Sequence, residues 1–345
     1  MTFNLLLLTR ERNVATSKPL SEVAMRLRNT LRILLIVSAV LSLCSLEIGS
    51  AKTKKKDLPH GTPVMWRTPV DITRRNLYLG PGDTTMRPDL RHVTFIKQET
   101  GGHSRKYRVR DASGREWVAK IGKEAQSETA AVRLLWGIGY ETEVNYLVPR
   151  VTIPGKGTFR NVRFEARPEG IKRLDEWHWK QNPFLGTPQY QGLKIMMALL
   201  NNWDLKDSNN KILYVDDNNR PELRYIISDL GATFGHASSI PFFWRIMRSR
   251  NNPTKYAKTG FLEGVKGNRV QLHYYGKNRG LFHDITVEDA EWLGSWVAQL
   301  SDRQIRDAFR AANYTPSQIN LLTNTFKSRT EELLSLQPSE RIGRN

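Results

Sequence analysis

The sequence predicts an α+β fold of two lobes, in which strands come first and helices follow. At 345 residues, the chain is long enough to bury a sizeable core. Between residues 91 and 167, short stretches alternate polar and apolar residues, as strands do, and turn residues separate them. Beyond residue 168, apolar residues recur mostly at helical spacing. We therefore expect a β-rich amino-terminal lobe over 91–167 and a mainly helical carboxy-terminal lobe over 168–336.

Five strands and one helix are predicted in the amino-terminal lobe. The strand patterns cover residues 92–96, 106–110, 116–121, 146–153 and 161–166. The helix is predicted over 124–136, because its alanines favour a helix and its leucines and Val132 form an apolar side. Gly137 and Gly139 end it.

In the carboxy-terminal lobe, a helix is predicted over 188–200, followed by a polar loop and a hairpin. The hairpin strands are residues 211–215 and 223–227, and Asp, Asn and Pro residues form the turn between them. Two later segments begin with the capping-box pattern of Ser or Thr followed three residues on by Gln, starting at Ser301 and at Thr315. The end of the lobe is therefore predicted to be helical.

Residues 1–51 have the pattern of a secretory signal. The apolar run 33–46 follows three arginines, and small residues precede a cleavage point after Ala51. A start at Met25 gives a signal of ordinary length. The run is shorter than the roughly 20 apolar residues of a spanning helix, but an uncleaved membrane anchor and a buried helix remain alternatives. We expect an exported or cell-envelope-associated protein.

The rest of the chain divides into a basic, loop-rich linker over 52–90, the two lobes and a tail over 337–345. Cys44 is the sole cysteine and lies within the apolar run. A disulfide-linked partner, an internal disulfide and a cysteine-based metal or catalytic site are therefore excluded for the cleaved chain.

The chain is strongly basic, with a net charge of +19. Residues 1–51 hold six Lys or Arg and three Asp or Glu, which leaves +16 on the rest. Such a balance favours polyanions or an anionic membrane surface as partners. Residues 241–283 concentrate it, with nine Lys or Arg, eight aromatic residues and one acidic residue, Glu263. This stretch fits an acidic or phosphorylated substrate, an anionic surface, or a basic loop without a ligand.

Two short motifs in the second lobe carry the chemistry. Asp204-Leu205-Lys206-Asp207-Ser208-Asn209 follows the predicted helix 188–200, and Asp229-Leu230-Gly231 ends an apolar strand. A carboxylate at the end of a buried strand needs a partner, and a metal ion is one. Oxygen ligands alone suit magnesium, which is a hard cation.

Together, the two motifs resemble the catalytic loop and metal-binding turn of the protein-kinase-like superfamily, with D-L-G in place of D-F-G. The resemblance spans about residues 95–330 and includes Val118-Ala119-Lys120 on a strand followed by a glutamate-bearing helix. The short spacing between lysine and glutamate is similar to that of bacterial HipA-type kinases and phosphatidylinositol kinases.

For the second lobe, the resemblance implies four site residues. Asp204 would be the catalytic base and Lys206 would contact the γ-phosphate. Asn209 and Asp229 would bind Mg²⁺, and Asn210 is the alternative to Asn209.

For the first lobe, the resemblance implies a phosphate-binding wall. Lys120 would hold the α- and β-phosphates and pair with Glu128, or with Glu124 as the alternative. Gly101 and Gly102 lie where the family has its phosphate-covering turn, although the G-x-G-x-x-G pattern is absent.

The sequence thus predicts an ATP- and magnesium-dependent phosphotransferase acting on a hydroxyl of a protein or small molecule. Asp216 and Asp217 are secondary acidic candidates within a turn. Two alternatives remain: a catalytically inactive pseudokinase, and a basic module that binds nucleic acid or an anionic membrane.

Overall fold

The computed structural model describes residues 57–101, 104–217, 219–238 and 247–336. The predicted signal segment, the start of the linker, Gly102 and the tail lie outside these ranges. Within them, no helix is long and apolar enough to cross a membrane.

The described chain contains eleven strands and six α-helices. The strands are β1 (Thr62–Val64), β2 (Thr94–Glu99), β3 (Arg105–Arg110), β4 (Glu116–Ile121), β5 (Asn145–Ile153), β6 (Gly157–Ala166), β7 (Lys172–Arg173), β8 (Asn210–Asp217), β9 (Arg220–Ile227), β10 (Leu262–Lys266) and β11 (Arg269–Leu272). The helices are α1 (Glu124–Gly137), α2 (Pro188–Leu199), α3 (Pro253–Lys258), α4 (Val287–Val297), α5 (Asp302–Ala311) and α6 (Pro316–Leu334). The predicted α+β fold, with strands in the first lobe and helices dominating the second, is confirmed.

Strands β2 to β6 form an antiparallel sheet in the order β2-β3-β4-β6-β5. Because side chains alternate between the faces of a strand, one face buries an apolar core that includes Trp117, Ala119 and Phe164. Val118 and Lys120 alternate with these core residues, and they line the cleft between the lobes. The alternation in β4 therefore places a lysine in the cleft.

Helix α1 packs against both lobes. Its residues Ala130, Ala131, Val132, Leu134 and Leu135 belong to the main apolar core, together with side chains of α2, α4 and α6. The same helix also contacts strands β4, β5 and β6. Helix α1 is therefore held on both sides, which fixes the acidic residues of its first two turns relative to the sheet.

Part of the segment predicted as a loop-rich linker packs against the carboxy-terminal lobe. Strand β1 pairs in parallel with β9, and Met65, Ile72 and Leu77 are buried in the main core. Gln304 of α5 donates hydrogen bonds to the carbonyl oxygens of Ile72 (2.8 Å) and Arg75 (3.0 Å). These apolar residues follow no helical or strand period, so the sequence pattern showed only a loop.

A second sheet supports the carboxy-terminal lobe near the predicted motifs, with strand order β1-β9-β8-β7. Its hairpin strands extend further toward the turn than predicted, because β8 ends two residues later and β9 begins three residues earlier. The capping boxes predicted at Ser301 and Thr315 are both formed. The basic stretch 241–283 contains helix α3 and the β10–β11 hairpin, neither of which was predicted.

The core at the end of α2 gives the first prediction. Leu199 is fully buried, whereas the side chain of Leu185 is 51% exposed. We expect Leu199→Ala to lower the free energy of unfolding by about 3–5 kcal/mol, because it removes buried methyl groups and leaves a cavity. Leu185→Ala, the matched control, should change it by less than about 0.5 kcal/mol. Urea unfolding measures both, and equal losses would contradict the described packing.

Candidate active site

The loop 200–209 is fixed where it leaves helix α2. Asn201 adopts a left-handed conformation (φ 51°), which Asn tolerates better than most residues. Its side-chain Nδ2 donates to the carbonyl oxygen of Gly235 at 2.6 Å. This bond ties the loop to the chain that follows Asp229, so the two predicted motifs are neighbours in the fold.

Asn209 joins the two motifs directly. Its Nδ2 donates to the carbonyl oxygen of Asp204 at 2.6 Å. Its own carbonyl oxygen accepts bonds from the backbone N–H groups of Ser228 (2.7 Å) and Asp229 (3.1 Å). The amide oxygen of Asn209 is left as the group that can coordinate a cation.

The carboxylate of Asp204 lies between two lysines. Lys206 Nζ is 3.1 Å from its Oδ2, and Lys277 Nζ is 3.0 Å from its Oδ1. Lys206 is the residue that the motif predicted. Lys277 follows strand β11, more than 70 residues further along the chain, and was not predicted. The structure therefore places a positive charge at each oxygen of this carboxylate.

Lys120 is buried among three carboxylates. Its Nζ is 2.9 Å from Glu128 Oε2, 2.9 Å from Glu124 Oε2 and 3.3 Å from Asp229 Oδ1. Both glutamates that the sequence offered as partners thus contact the lysine. Glu128 is the more deeply buried of the two, with its side chain 1% exposed against 11% for Glu124.

The surroundings of Lys120 shift the pKa values of its partners in opposite directions. Burial raises the pKa of Glu128, and the attraction of Arg163 and Lys120 offsets this only in part. Burial also acts to raise the pKa of Asp229, but Lys120 and the backbone N–H of Gly231 outweigh it, so the pKa of Asp229 is lowered. Asp229 is therefore kept ionised, as a cation ligand must be.

Of the two glycines predicted to cover phosphate, the structure describes only Gly101. Gly101 lies at the rim of the cleft, and its carbonyl oxygen accepts a bond from Lys106 Nζ at 3.3 Å. Gly102 is outside the described residues. Asp216 is exposed near the end of β8 and does not line the cleft, and the side chain of Asp217 is not described.

A buried network of charges at the inner end of the cleft was missed from the sequence. Arg163 Nη1 lies 2.6 Å from Glu128 Oε1, and Arg163 also pairs with Glu165. Glu165 pairs further with Arg167 and with Arg173 of β7. Burial opposes the ionisation of Glu165, but these three arginines lower its pKa. The alternation of Arg163 and Glu165 in β6, continued by Arg167 directly after the strand, was the signal that could have revealed the network.

These groups line one cleft of about 480 Å³ between the lobes. Its wall holds all the predicted site residues that the structure describes: Gly101, Lys120, Glu128, Asp204, Lys206, Asn209 and Asp229. Its apolar side chains are few, namely Val118, Trp203 and Ala232. The cleft therefore suits a highly charged ligand.

The resemblance implies a magnesium ion at this cleft. Among the described residues, no three His, Cys, Asp or Glu side chains are grouped to hold a metal ion by themselves. Asn209 and Asp229 offer one amide and one carboxylate. Magnesium commonly takes one or two carboxylates and completes its shell with water and substrate phosphates. The residues present therefore fit Mg²⁺ that arrives with a phosphate ligand.

The glycine after Asp229 gives a prediction for the site. A Cβ at Gly231 would lie 2.8 Å from Glu124 Cβ and 2.9 Å from its Cγ. Gly231→Ala must displace Glu124 from Lys120, so we expect a loss of about 1–3 kcal/mol in the free energy of unfolding. Gly280→Ala is the control, because nothing lies within 4 Å of its Cβ. Denaturant unfolding of both variants tests the contact, which a neutral Gly231→Ala would contradict.

No family model matches the chain, and no curated protein matches it in sequence. Among solved structures, the chain is similar to the Helicobacter pylori proinflammatory kinase CtkA, with 10% identity and a TM-score of 0.46 over 72% of this chain and 96% of that one. It is also similar to the Rio2 kinase–ADP/Mg²⁺–phosphoaspartate complex from Chaetomium thermophilum, with 14% identity and a TM-score of 0.30 over 69% and 72%.

Both similarities are low, so the fold assignment rests on this chain's own arrangement. A five-stranded antiparallel sheet carries Lys120, helix α1 supplies Glu128, and the two motifs meet below them. The described residues form two lobes around one charged cleft, an arrangement that resembles the protein-kinase fold.

Proposed function

We propose that this protein is a phosphotransferase that uses ATP and magnesium to phosphorylate a hydroxyl group. The observation that carries the proposal is the 3.3 Å contact between Lys120 of the first lobe and Asp229 of the second. It brings the phosphate-binding lysine and the metal-binding carboxylate, predicted from separate motifs, to one point of the cleft. Phosphoryl transfer needs little beyond such positioned charges.

The donor phosphates are held by groups from both lobes. Asn209 and Asp229 would hold the magnesium ion, which neutralises phosphate oxygens when bound. Lys120 contributes its ammonium group to the same phosphates, and Glu128 keeps that group in place. Since three carboxylates surround Lys120 in the described structure, arriving phosphate has to compete with them for its ammonium group.

At the other end of the cleft, Asp204 orients the acceptor hydroxyl and receives its proton. The acceptor oxygen forms a bond to the γ-phosphorus while the bond from that phosphorus to the β–γ bridging oxygen breaks, and ADP leaves. Lys206 is close enough to Asp204 to place its charge on the transferred phosphoryl group. Lys206 therefore serves both the carboxylate and the phosphate.

A nucleotide-binding protein without transfer activity is the second candidate. The observation that favours it is the pairing of both Asp204 oxygens with lysines, because an acceptor hydroxyl has to displace a lysine before it can reach the carboxylate. Activity of the wild type and its loss in an Asp204 variant separate the two candidates.

The nucleotide site gives a binding prediction. With Mg-ATP at about 100 times its dissociation constant, the free energy of unfolding of the wild type should rise by about 2.7 kcal/mol. Asp229→Asn removes a metal ligand, so the magnesium-dependent part of this rise should be lost. Thermal unfolding with ATP, with Mg-ATP and with magnesium alone measures the effect, and Asp216→Asn is the matched control at an exposed position near the end of β8. No shift with any nucleotide would contradict the proposed function.

The base gives a separate prediction about catalysis. Asp204→Asn should leave the Mg-ATP stabilisation in place but lower phosphate transfer by about 10²–10⁴-fold, because an amide accepts no proton. Release of ADP in an acceptor screen measures transfer. A wild type that binds Mg-ATP but transfers no faster than Asp204→Asn, with any acceptor or water, would favour the second candidate.

A further inference from the structure

Trp203, directly before Asp204, is the anchor of a cluster of positive charges. Its side chain is 1% exposed, and its Nε1 donates to the carbonyl oxygen of Ser249 at 2.8 Å. Its own carbonyl oxygen accepts a bond from the backbone N–H of Lys277 at 2.9 Å. One residue thus holds two distant segments, around 249 and 277, beside the catalytic carboxylate.

Lys277 is fixed by its backbone as well as by its charge. Tyr274 Oη donates to the carbonyl oxygen of Lys277 at 3.0 Å, and Asn278 Nδ2 donates to that of Leu205 at 2.7 Å. Gly276 approaches so closely that a Cβ there would lie 2.6 Å from the carbonyl oxygen of Trp203. These contacts fix the backbone of Lys277 beside Asp204, so the position of the lysine is set by the fold.

Arg248 has a different environment from its neighbour Arg250. Its guanidinium carbon lies 4.3 Å from the centre of the Trp203 ring, and it has no carboxylate partner among the described residues. Arg250 also lies over Trp203, at 5.0 Å, but it pairs with Glu124. Stacking on a buried ring orients the guanidinium of Arg248 and leaves its N–H donors without a carboxylate.

The charges around Asp204 do not balance. Lys206, Lys277 and Arg248 bring three positive charges to this end of the cleft, against the single negative charge of Asp204. The surplus matches a phosphate monoester, which carries between one and two negative charges at neutral pH. Arginine binds phosphate through two parallel hydrogen bonds, and lysine acts as a point charge.

We propose that the acceptor already carries a phosphate group near its reactive hydroxyl, and that Arg248 and Lys277 bind it against Trp203. This subsite (Trp203, Arg248 and Lys277) rests on the proposed function for its role in transfer. The hydroxyl lies at Asp204, and the donor phosphates lie toward Lys120 and Asp229. The subsite therefore selects acceptors by charge, separately from the nucleotide.

The test uses the full chain, saturated with magnesium and a non-hydrolysable ATP analogue, with inorganic phosphate as the probe. Phosphate should bind this complex, and Arg248→Ala or Lys277→Ala should weaken binding about tenfold or more, the usual cost of a hydrogen bond to a charged group. Arg303→Ala is the matched control, because Arg303 lies on α5 with its side chain 90% exposed. Isothermal titration measures each dissociation constant.

Arg248→Lys is the control for misfolding of Arg248→Ala. It keeps the positive charge, so it should retain part of the phosphate binding. Equal phosphate binding by the wild type, Arg248→Ala and Lys277→Ala would overturn the subsite. So would an absence of phosphate binding to the nucleotide-loaded wild type.

Failure of the proposed function gives a different pattern. In that case the ATP analogue does not bind, whereas phosphate titrated into the protein without nucleotide still depends on Arg248. A sugar phosphate and a phosphoserine peptide, added as competitors of phosphate and then as acceptors with Mg-ATP, identify the source of the group. Tighter binding of the sugar phosphate supports a small-molecule acceptor, and tighter binding of the peptide supports a protein acceptor.

Discussion

The ion pairs of Lys120 are the interaction on which the site depends. A buried ammonium group is costly unless carboxylates surround it at short range. Here one carboxylate comes from the start of α1, one from its second turn and one from the end of the β8–β9 hairpin. The positions of a strand, a helix and a loop are therefore coupled through one nitrogen atom, across both lobes.

The charges continue inward from Lys120. Arg163 links Glu128 to Glu165, and Glu165 pairs with Arg173 in the second lobe. Ser228, next to Asp229, accepts a hydrogen bond from Arg173 at 2.8 Å and donates one to Glu143 at 2.9 Å. Removing one member of such a network leaves an uncompensated buried charge, so each charged side chain depends on the presence of the others. It also explains why the cleft has so little apolar surface for a charged ligand to displace.

The two ends of the cleft differ in their charge balance. Around Lys120, carboxylates outnumber the lysine that they share, which suits a site that also takes a metal cation. Around Asp204, cations outnumber the carboxylate, which suits phosphate. Trp203 precedes Asp204 and holds the segments that supply the second set of charges. Part of the chain's excess of positive charge is thus concentrated beside the proposed base.

The sequence by itself determined the order of the main elements, the alternation of Val118 and Lys120 with core residues in β4, and the two motifs. Periodicity and short spacings are local properties, and Asp204, Asn209 and Asp229 are close to one another through a short hairpin. Only the tertiary structure decided that Glu124 and Glu128 share Lys120, because both lie on the same side of α1 within reach of one strand. It also placed Lys277 and Arg248 at Asp204 and buried the segment before β2. These contacts join residues far apart in the chain, through backbone bonds and packing that no local pattern encodes.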